Sequence, residues 1–150
     1  MSDSANLQMA IDQIVAARQY TKSLLENIDQ NNWFRQPVEK INHVAWQVGH
    51  LAMAQYGLVL FRQRGRKLED TELMSSSFRK KFSRGTTPNA DPEFYPGIDE
   101  ILDVFERVYN QSMEELASYP VEQLQDPVDD PYAAYPNKLG CLIFCAHHEM

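Results

Sequence analysis

Hydrophobic residues recur along this chain at the spacing of α-helices, and two segments show the pattern most simply. From about Ala5 to Ile28, apolar residues recur every three or four positions, and neither Gly nor Pro interrupts them. A later segment begins near Ile98 and places Asp and Glu opposite its apolar residues until Pro120 stops it. Both patterns predict amphipathic helices that bury one face.

A segment that begins at Val38 or Asn42 and runs to Arg62 carries two apolar stripes. The first stripe is aliphatic, and the second includes aromatic residues and two histidines; the members are Ile41, Val44, Val48, Leu51 and Leu58 for the first, and His43, Trp46, His50, Ala54, Gly57 and Phe61 for the second. Two apolar faces predict a helix that is buried on both sides. We expect Trp46 and Phe61 to be core residues rather than a platform for a substrate.

The last segment, KLGCLIFCAHHEM at residues 138–150, predicts a fourth helix. Its apolar pattern reaches Met150 without a Gly, a Pro or a polar segment that would end a helix. We therefore expect the natural chain to continue and this helix to be incomplete.

Two long irregular connections separate the four helices. Residues 63–97 contain a run of serines and several Pro and Gly residues, and one short helix is expected around Leu68–Phe78. Residues 119–137 combine four prolines, acidic residues and tyrosines without any period. Because no strand pattern and no repeat is present, the sequence predicts an all-α fold, a four-helix bundle with long crossover loops in which residues 1–150 form a single domain.

Composition and charge narrow the class of protein. The 150 residues are 43% hydrophobic and 23% charged, which is typical of a folded domain long enough to bury a core. The formal net charge of −7 offers no basic patch for phosphate groups, so we expect neither nucleic acid nor a membrane as a partner. No apolar stretch approaches the roughly 20 residues of a membrane span, and the N-terminus lacks secretory character. We therefore expect a cytoplasmic protein.

Cys141 and Cys145 are the only cysteines of the sequence, and they lie four positions apart on the predicted fourth helix. This spacing rarely suits a disulfide, so we expect both thiols to be reduced. Together with His148 they are a rival metal site on one helix face, but its ends are about 10 Å apart, which is too far for three bonds to one ion. Buried thiols that pack as small hydrophobic groups explain the pair adequately.

The four histidines are confined to the second helix, with His43 and His50, and to the fourth, with His147 and His148. Bundles build metal sites from side chains on facing helices, so His50 and His148 are candidate ligands of one ion. His148 shares the stripe of the two cysteines, whereas His147 lies about 100° away around the helix. For His43, which lies seven residues before His50, we expect one of two roles other than binding metal. It could line the same cleft as His50, or form a hydrogen bond at the start of the helix. Structural roles stay open, because an isolated histidine is more often a hydrogen-bonded core or surface residue than a ligand.

The segments INHVAWQVGHLA, 41–52, and CAHHEM, 145–150, resemble the two motif regions of the DinB-like superfamily, which includes bacillithiol and mycothiol transferases. The resemblance spans nearly the whole chain. In the W-x-x-G-H type segment of that family the matching residues are Trp46, Gly49 and His50.

The resemblance implies that His50 is a metal ligand and that His148 matches the first His of an H-x-x-x-H pair, whose second His would fall just beyond Met150. It also implies a bundle, often a homodimer, that holds a divalent nickel, zinc, iron or manganese ion with three His and leaves positions open to water or a thiol. The implied activity is that of a hydrolase or thiol transferase acting on a small-molecule substrate, with a low-molecular-weight thiol as a possible cosubstrate. The alternative is a non-catalytic bundle that dimerises or binds a partner and whose histidines are structural.

Overall fold

The computed structural model of the chain describes residues 2–129 and 134–150. Within them the structure is an all-α bundle without a β-strand, which confirms the predicted fold class. The helical elements are α1 (Asp3–Glu26), α2 (Val44–Gln55), a π-helix (Tyr56–Phe61), α3 (Arg62–Arg64), α4 (Asp70–Leu73), α5 (Ser76–Lys81), α6 (Ile98–Ala117) and α7 (Lys138–Glu149). Short 3-10 turns lie at Gln30–Asn32, Pro92–Phe94 and Val121–Gln123.

The bundle is built from two helix pairs, in which α1 packs against α7 and α2 packs against α6. One cluster of core residues surrounds α2 and α6 and includes Trp33, Phe82 and Phe105. A second cluster joins α1, α7 and the π-helix and includes Ile14 and Leu142. The two helices that carry histidines, α2 and α7, therefore belong to different pairs.

The second helix begins later than its hydrophobic pattern predicts. His43 has an extended backbone, with φ −79° and ψ 168°, and its side chain accepts a hydrogen bond from the Trp46 N–H, so the helix starts at Val44. Because a polar side chain can satisfy the unpaired N–H groups of a first turn, a histidine inside an apolar pattern marks the boundary here.

The same helix does not keep the α-helical register to its end. Residues Tyr56–Phe61 form a π-helix, whose wider turns hold more residues than α-helical turns. Side chains satisfy two of its carbonyl groups: Arg62 Nη1 donates to Gly57 O at 3.3 Å and Gln63 Nε2 donates to Leu58 O at 2.9 Å.

This change of register corrects one prediction. Trp46, which precedes the π-helix, is buried as expected, but Phe61 is 45% exposed and is not a core residue. The 3.6-residue spacing that joined Phe61 to the second stripe does not continue through π-helical turns.

The first long connection contains two short helices instead of the single one predicted around Leu68–Phe78. Met74 is extended between α4 and α5, and Ser75 caps α5 by accepting a hydrogen bond from the Phe78 N–H at 3.0 Å. Phe78 and Phe82 are both buried. They anchor this connection to the core beside α2.

The second long connection leads to α7. Residues 130–133 of the predicted 119–137 segment lie outside the described residues. Asn137 caps α7 by accepting a hydrogen bond from the Gly140 N–H at 2.8 Å. Over the ranges 2–129 and 134–150, none of the helices combines the length and the apolar character needed to cross a bilayer.

Candidate functional site

His50 of α2 and His148 of α7 meet beside a surface cavity. Their Nε2 atoms are 3.0 Å apart, and the two ring centroids are 5.1 Å apart with 65° between the ring planes. His50 is half-buried, whereas much of His148 is exposed. The structure thus brings together the two histidines that the sequence singled out, although His148 borders a cavity rather than the core that holds Cys141 and Cys145.

The orientation of the His50 ring is set by its other nitrogen. Nδ1 lies 2.7 Å from the backbone carbonyl oxygen of Phe82. A carbonyl oxygen only accepts hydrogen bonds, so Nδ1 carries the hydrogen and donates it. In the neutral ring, Nε2 then holds a lone pair that faces His148. Histidines that bind metal ions are typically held by this kind of hydrogen bond from the second nitrogen.

The W-x-x-G-H segment explains how this geometry arises. The Trp46 ring stacks on His50 at a centroid distance of 4.5 Å with an interplanar angle of 11°. The Phe82 ring lies directly against the Gly49 backbone, where a Cβ atom would collide with it. Glycine at this position therefore allows Phe82 to approach α2 closely enough for its carbonyl group to bind His50.

His148 is the second imidazole of the pair. The Phe144 ring lies one turn earlier on α7, with a centroid distance of 5.5 Å and 31° between the planes. Surrounding atoms displace water from part of the ring, and this desolvation, followed by the nearby charge of His50, lowers the pKa of His148. The neutral form, which is the form that binds metal ions, is favoured.

His43 has a structural role at the start of α2, one of the two roles left open by the sequence. Its Nδ1 accepts a hydrogen bond from the Trp46 N–H at 3.0 Å, and its Nε2 donates one to Asn89 O at 3.0 Å. Burial lowers the pKa of His43, so the ring is kept neutral. Both nitrogens are used, and neither has a lone pair left for a metal ion.

The remaining candidate ligands do not join the pair. His147 is exposed, and Cys141 and Cys145 are buried free thiols. Burial raises the pKa of Cys145 to about 12 and also raises that of Cys141, so both are protonated. In the part of the chain that the structure describes, no group of three or more His, Cys, Asp or Glu side chains is arranged to hold a metal ion.

A cavity of about 400 Å³ opens beside the two imidazoles. Its walls come from α2, the π-helix, the following helical turn, the first long connection and α7; the residues are His50, Met53, Ala54, Gly57, Leu58, Arg62, Arg84, Phe144 and His148. Most of the described lining is apolar, and its charged members are two arginines. The sequence pattern did not single out Arg84, because it lies in an irregular connection.

Arg18 is a buried charge, 1% exposed, whose sequence position did not single it out as part of the site. Its Nε donates to Glu149 Oε1 at 2.9 Å and its Nη2 donates to Gln55 Oε1 at 2.6 Å. Its Nη1 donates to the carbonyl oxygen of Phe105 at 3.3 Å, and its guanidinium carbon lies 3.6 Å from the Phe105 ring centroid. One signal was available, because Arg18 lies in the apolar stripe of α1, between Ile14 and Leu25.

A sequence model of the DinB superfamily matches residues 13–150, which is most of the chain. No curated protein matches it.

Proposed function

The chain belongs to the DinB superfamily, and from this membership and the geometry of the site we propose that it is a metal-dependent enzyme that acts on a small molecule. His50 and His148 are the proposed protein ligands of one divalent ion. The observation that carries the proposal is the 3.0 Å separation of their Nε2 atoms. The proposed reaction is a hydrolysis or a transfer to or from a thiol, with a low-molecular-weight thiol as cosubstrate.

The donor set fits a transition metal ion. Imidazole nitrogens bind such ions at about 2.0–2.1 Å, so two of them at this separation can reach the same ion. Imidazole suits zinc, iron and nickel, whereas manganese prefers oxygen ligands and is the poorest match of the four metals implied by the family. The hydrogen bond from His50 Nδ1 to Phe82 supports the same assignment, because it places the lone pair of the neutral ring on Nε2, the atom that faces His148.

The chemistry requires positions on the ion that the protein does not fill. When bound, a divalent ion supplies a Lewis acid that lowers the pKa of a coordinated water or thiol. The chain itself holds the His50 ring in place through Trp46 and Phe82. Met53, Leu58 and Phe144 give the cavity apolar walls beside the imidazoles.

The cavity also favours a class of substrate. Its volume of about 400 Å³ lies in the range typical of small-molecule sites. Arg62 and Arg84 place positive charge in its lining, although the whole chain has a net charge of −7. We therefore propose a substrate with an apolar body and an anionic group, which the arginines attract.

Metal binding by single-histidine variants tests the proposal. We expect the purified protein to bind about one equivalent of Zn²⁺ or Ni²⁺ in titration calorimetry, and His50→Ala and His148→Ala to lose at least ten-fold in affinity. His147→Ala is the matched control, since this exposed histidine is the neighbour of His148 on α7 and should bind as the wild type does. Unchanged affinity in both site variants would contradict the proposal and favour the non-catalytic bundle with structural histidines.

A second measurement links metal to stability. Because a ligand that binds only the folded state stabilises it, metal at about one hundred times its Kd should add about 2.7 kcal/mol to the free energy of unfolding. A chelator should remove this gain in the wild type and have no effect on His50→Ala. The predicted homodimer is a separate question, which sedimentation velocity tests.

A further inference from the structure

Direct contact between α2 itself and α7 is limited, although the π-helix that continues α2 packs against α7. α2 packs mainly against α6, and α7 packs mainly against α1, so His50 and His148 come from different pairs of the bundle. A small sliding of one pair against the other would change the distance between the imidazoles. The π-helix begins six residues after His50, so a connection nearer to the two histidines would fix their separation more closely.

Arg18 provides such a connection. It lies on α1, and its guanidinium donates to Gln55 on α2, to Glu149 on α7 and to the Phe105 carbonyl group on α6. Gln55 follows His50 by five residues on the same helix, and Glu149 is the residue next to His148. One planar group thus contacts both ligand-bearing helices close to their histidines.

The environment of Arg18 holds the guanidinium in one position. The residue is 1% exposed, and its guanidinium carbon lies 3.6 Å from the ring centroid of Phe105 and 4.5 Å from that of Tyr109. Glu149 is also nearly inaccessible at its side chain. Because a buried ion pair that loses one partner leaves an uncompensated charge, neither group can move away alone without a large loss of stability.

We propose that Arg18 is a positioning residue, which joins α2 to α7 through Gln55 and Glu149 and thereby keeps His50 and His148 at the separation that binds a metal ion. This inference rests on the proposed function of the histidine pair. It predicts that the network sets metal affinity without contacting the ion, as hydrogen-bonded partners outside the ligand shell commonly do.

The test compares Arg18→Met with Arg64→Met. Arg64 is a suitable control, because it also binds carboxylates, Asp70 and Glu115, from other helical elements but contacts none of the residues around the histidine pair. Zn²⁺ affinity is measured by competition with a chromophoric chelator. We expect Arg18→Met to weaken it about 10- to 100-fold, and Arg64→Met to change it less than two-fold while its unfolding midpoint falls.

Two further variants cover the case in which Arg18→Met does not fold. Glu149→Gln keeps the shape of the side chain but removes its charge, and should weaken Zn²⁺ binding several-fold. Arg18→Lys keeps the charge but lacks the planar fork, so it should restore only part of the affinity. A merely structural role would make affinity follow the unfolding midpoint across all variants, whereas a positioning role separates the two quantities.

A metal-free readout keeps this inference distinct from the proposed function. In the apoprotein, ¹⁵N resonances of the His50 and His148 rings should move in Arg18→Met and Glu149→Gln but stay in place in Arg64→Met. If the wild type binds no Zn²⁺, the proposed function fails. If it binds Zn²⁺ but the Arg18 and Glu149 variants retain wild-type affinity and ring resonances, the positioning role alone is overturned.

Discussion

Arg18 and Arg64 each centre a polar network, and the two networks differ in what surrounds the guanidinium. The Arg18 side chain is 2% exposed and has one carboxylate partner, Glu149, whereas the Arg64 side chain is 18% exposed and has two, Asp70 and Glu115. Around Arg18, a neutral amide, a carbonyl group and two aromatic rings complete the shell. The buried Arg18 is thus paired with a single carboxylate, whereas the more exposed Arg64 has two carboxylates and its network carries an excess of negative charge.

The Arg64 network is built around Asp70. Arg64 Nη1 and Nη2 donate to the two Asp70 oxygens at 2.7 and 2.9 Å, and the Tyr56 hydroxyl donates to the same carboxylate at 2.8 Å. Burial alone would raise the pKa of Asp70, but hydrogen bonds from Arg64, the Lys67 N–H and Tyr56 outweigh it and lower the pKa to about 2. Burial and the bond to Asp70 raise the pKa of Tyr56 to about 12.

The two networks also join different parts of the molecule. Arg18 links four helices of the bundle, whereas Arg64 ties α4, in the first long connection, to Glu115 of α6. The same residue type therefore stabilises the bundle in one place and attaches a connection to it in the other. The contrast predicts unequal losses of stability when each network is broken.

The largest loss is expected for Arg18→Ala. The change leaves Glu149 buried without its partner and removes the group between Phe105 and Tyr109, so the free energy of unfolding should fall by about 3–5 kcal/mol. Urea unfolding followed by circular dichroism measures it. A loss below about 1 kcal/mol would mean that the Arg18 network is not the stronger of the two.

Asp70→Asn should have the next largest effect. The variant keeps the shape of the side chain but removes the charge that binds Arg64, and buried groups that lose a partner typically cost about 1–3 kcal/mol. Glu115→Gln is the matched change on the more exposed carboxylate and should cost less. If the two losses are equal, burial does not govern the strength of this network.

The Asp70 carboxylate also gives the Arg64 network a dependence on pH. Its folded-state pKa of about 2 lies below the ordinary value of 3.8. As the pH falls, Asp70 is therefore protonated in the unfolded state before it is protonated in the folded state. The contribution of Asp70 to stability is fully present above about pH 4 and is lost as the pH falls from 3.8 toward 2. Acid unfolding of the wild type and Asp70→Asn should differ in this window, with a flatter profile for the variant.

His43 offers a neutral comparison for the two charged networks. Loss of a cap at a helix start costs about 0.5–2 kcal/mol, so His43→Ala should be less damaging than Arg18→Ala. Because burial lowers the pKa of His43, its contribution is present above the unfolded pKa of about 6.5 and is lost as the pH falls below that value. His43→Asn should keep most of the cap and lack this pH dependence in thermal unfolding.

The smallest effect is expected at the exposed pair Lys22–Glu106. The two groups are 2.9 Å apart, with side chains 48% and 40% exposed. Exposed ion pairs contribute about 0–1 kcal/mol, so Lys22→Ala should change stability little, and added salt should erase the difference. A loss as large as that of Asp70→Asn would show that exposure does not explain the contrast between the networks.

Much of the fold could be predicted, because an amphipathic helix places apolar residues every three or four positions along the sequence. The apolar periods located all four long helices, and the placement of histidines on α2 and α7 singled out the two rings that the structure brings together. Their role as metal ligands stays a prediction. The π-helix could not be predicted, because each of its backbone hydrogen bonds spans five residues instead of the four of an α-helix, and the spacing of apolar residues does not show this change. The assignment of Phe61 to the core was wrong for that reason.

The parts of the site that sequence reasoning missed depend on contacts between distant residues. Phe82 orients His50 through a backbone carbonyl, a group that every residue possesses, so no side-chain pattern indicates it. Gly49 carried a visible motif, but the reason for it is the Phe82 ring, 33 positions away. Arg18 differs from Phe82 in this respect, because the sequence around it shows a charged residue inside the apolar stripe of α1. A charge in such a position is buried only together with a partner of opposite charge.

The π-helix has a genetic consequence. It acts as an extra residue accommodated in the middle of a helix, between the half that carries His50 and the half that carries Arg64. Each residue of an α-helix turns it by about 100°, but the π-helix absorbs its extra residue within its own wider turns, so loss of a single codon within Tyr56–Phe61 would let this segment return to α-helical hydrogen bonding. An in-frame deletion there would keep Arg64 in nearly the same direction relative to His50, so this stretch should tolerate the loss of one residue that a regular α-helix would not.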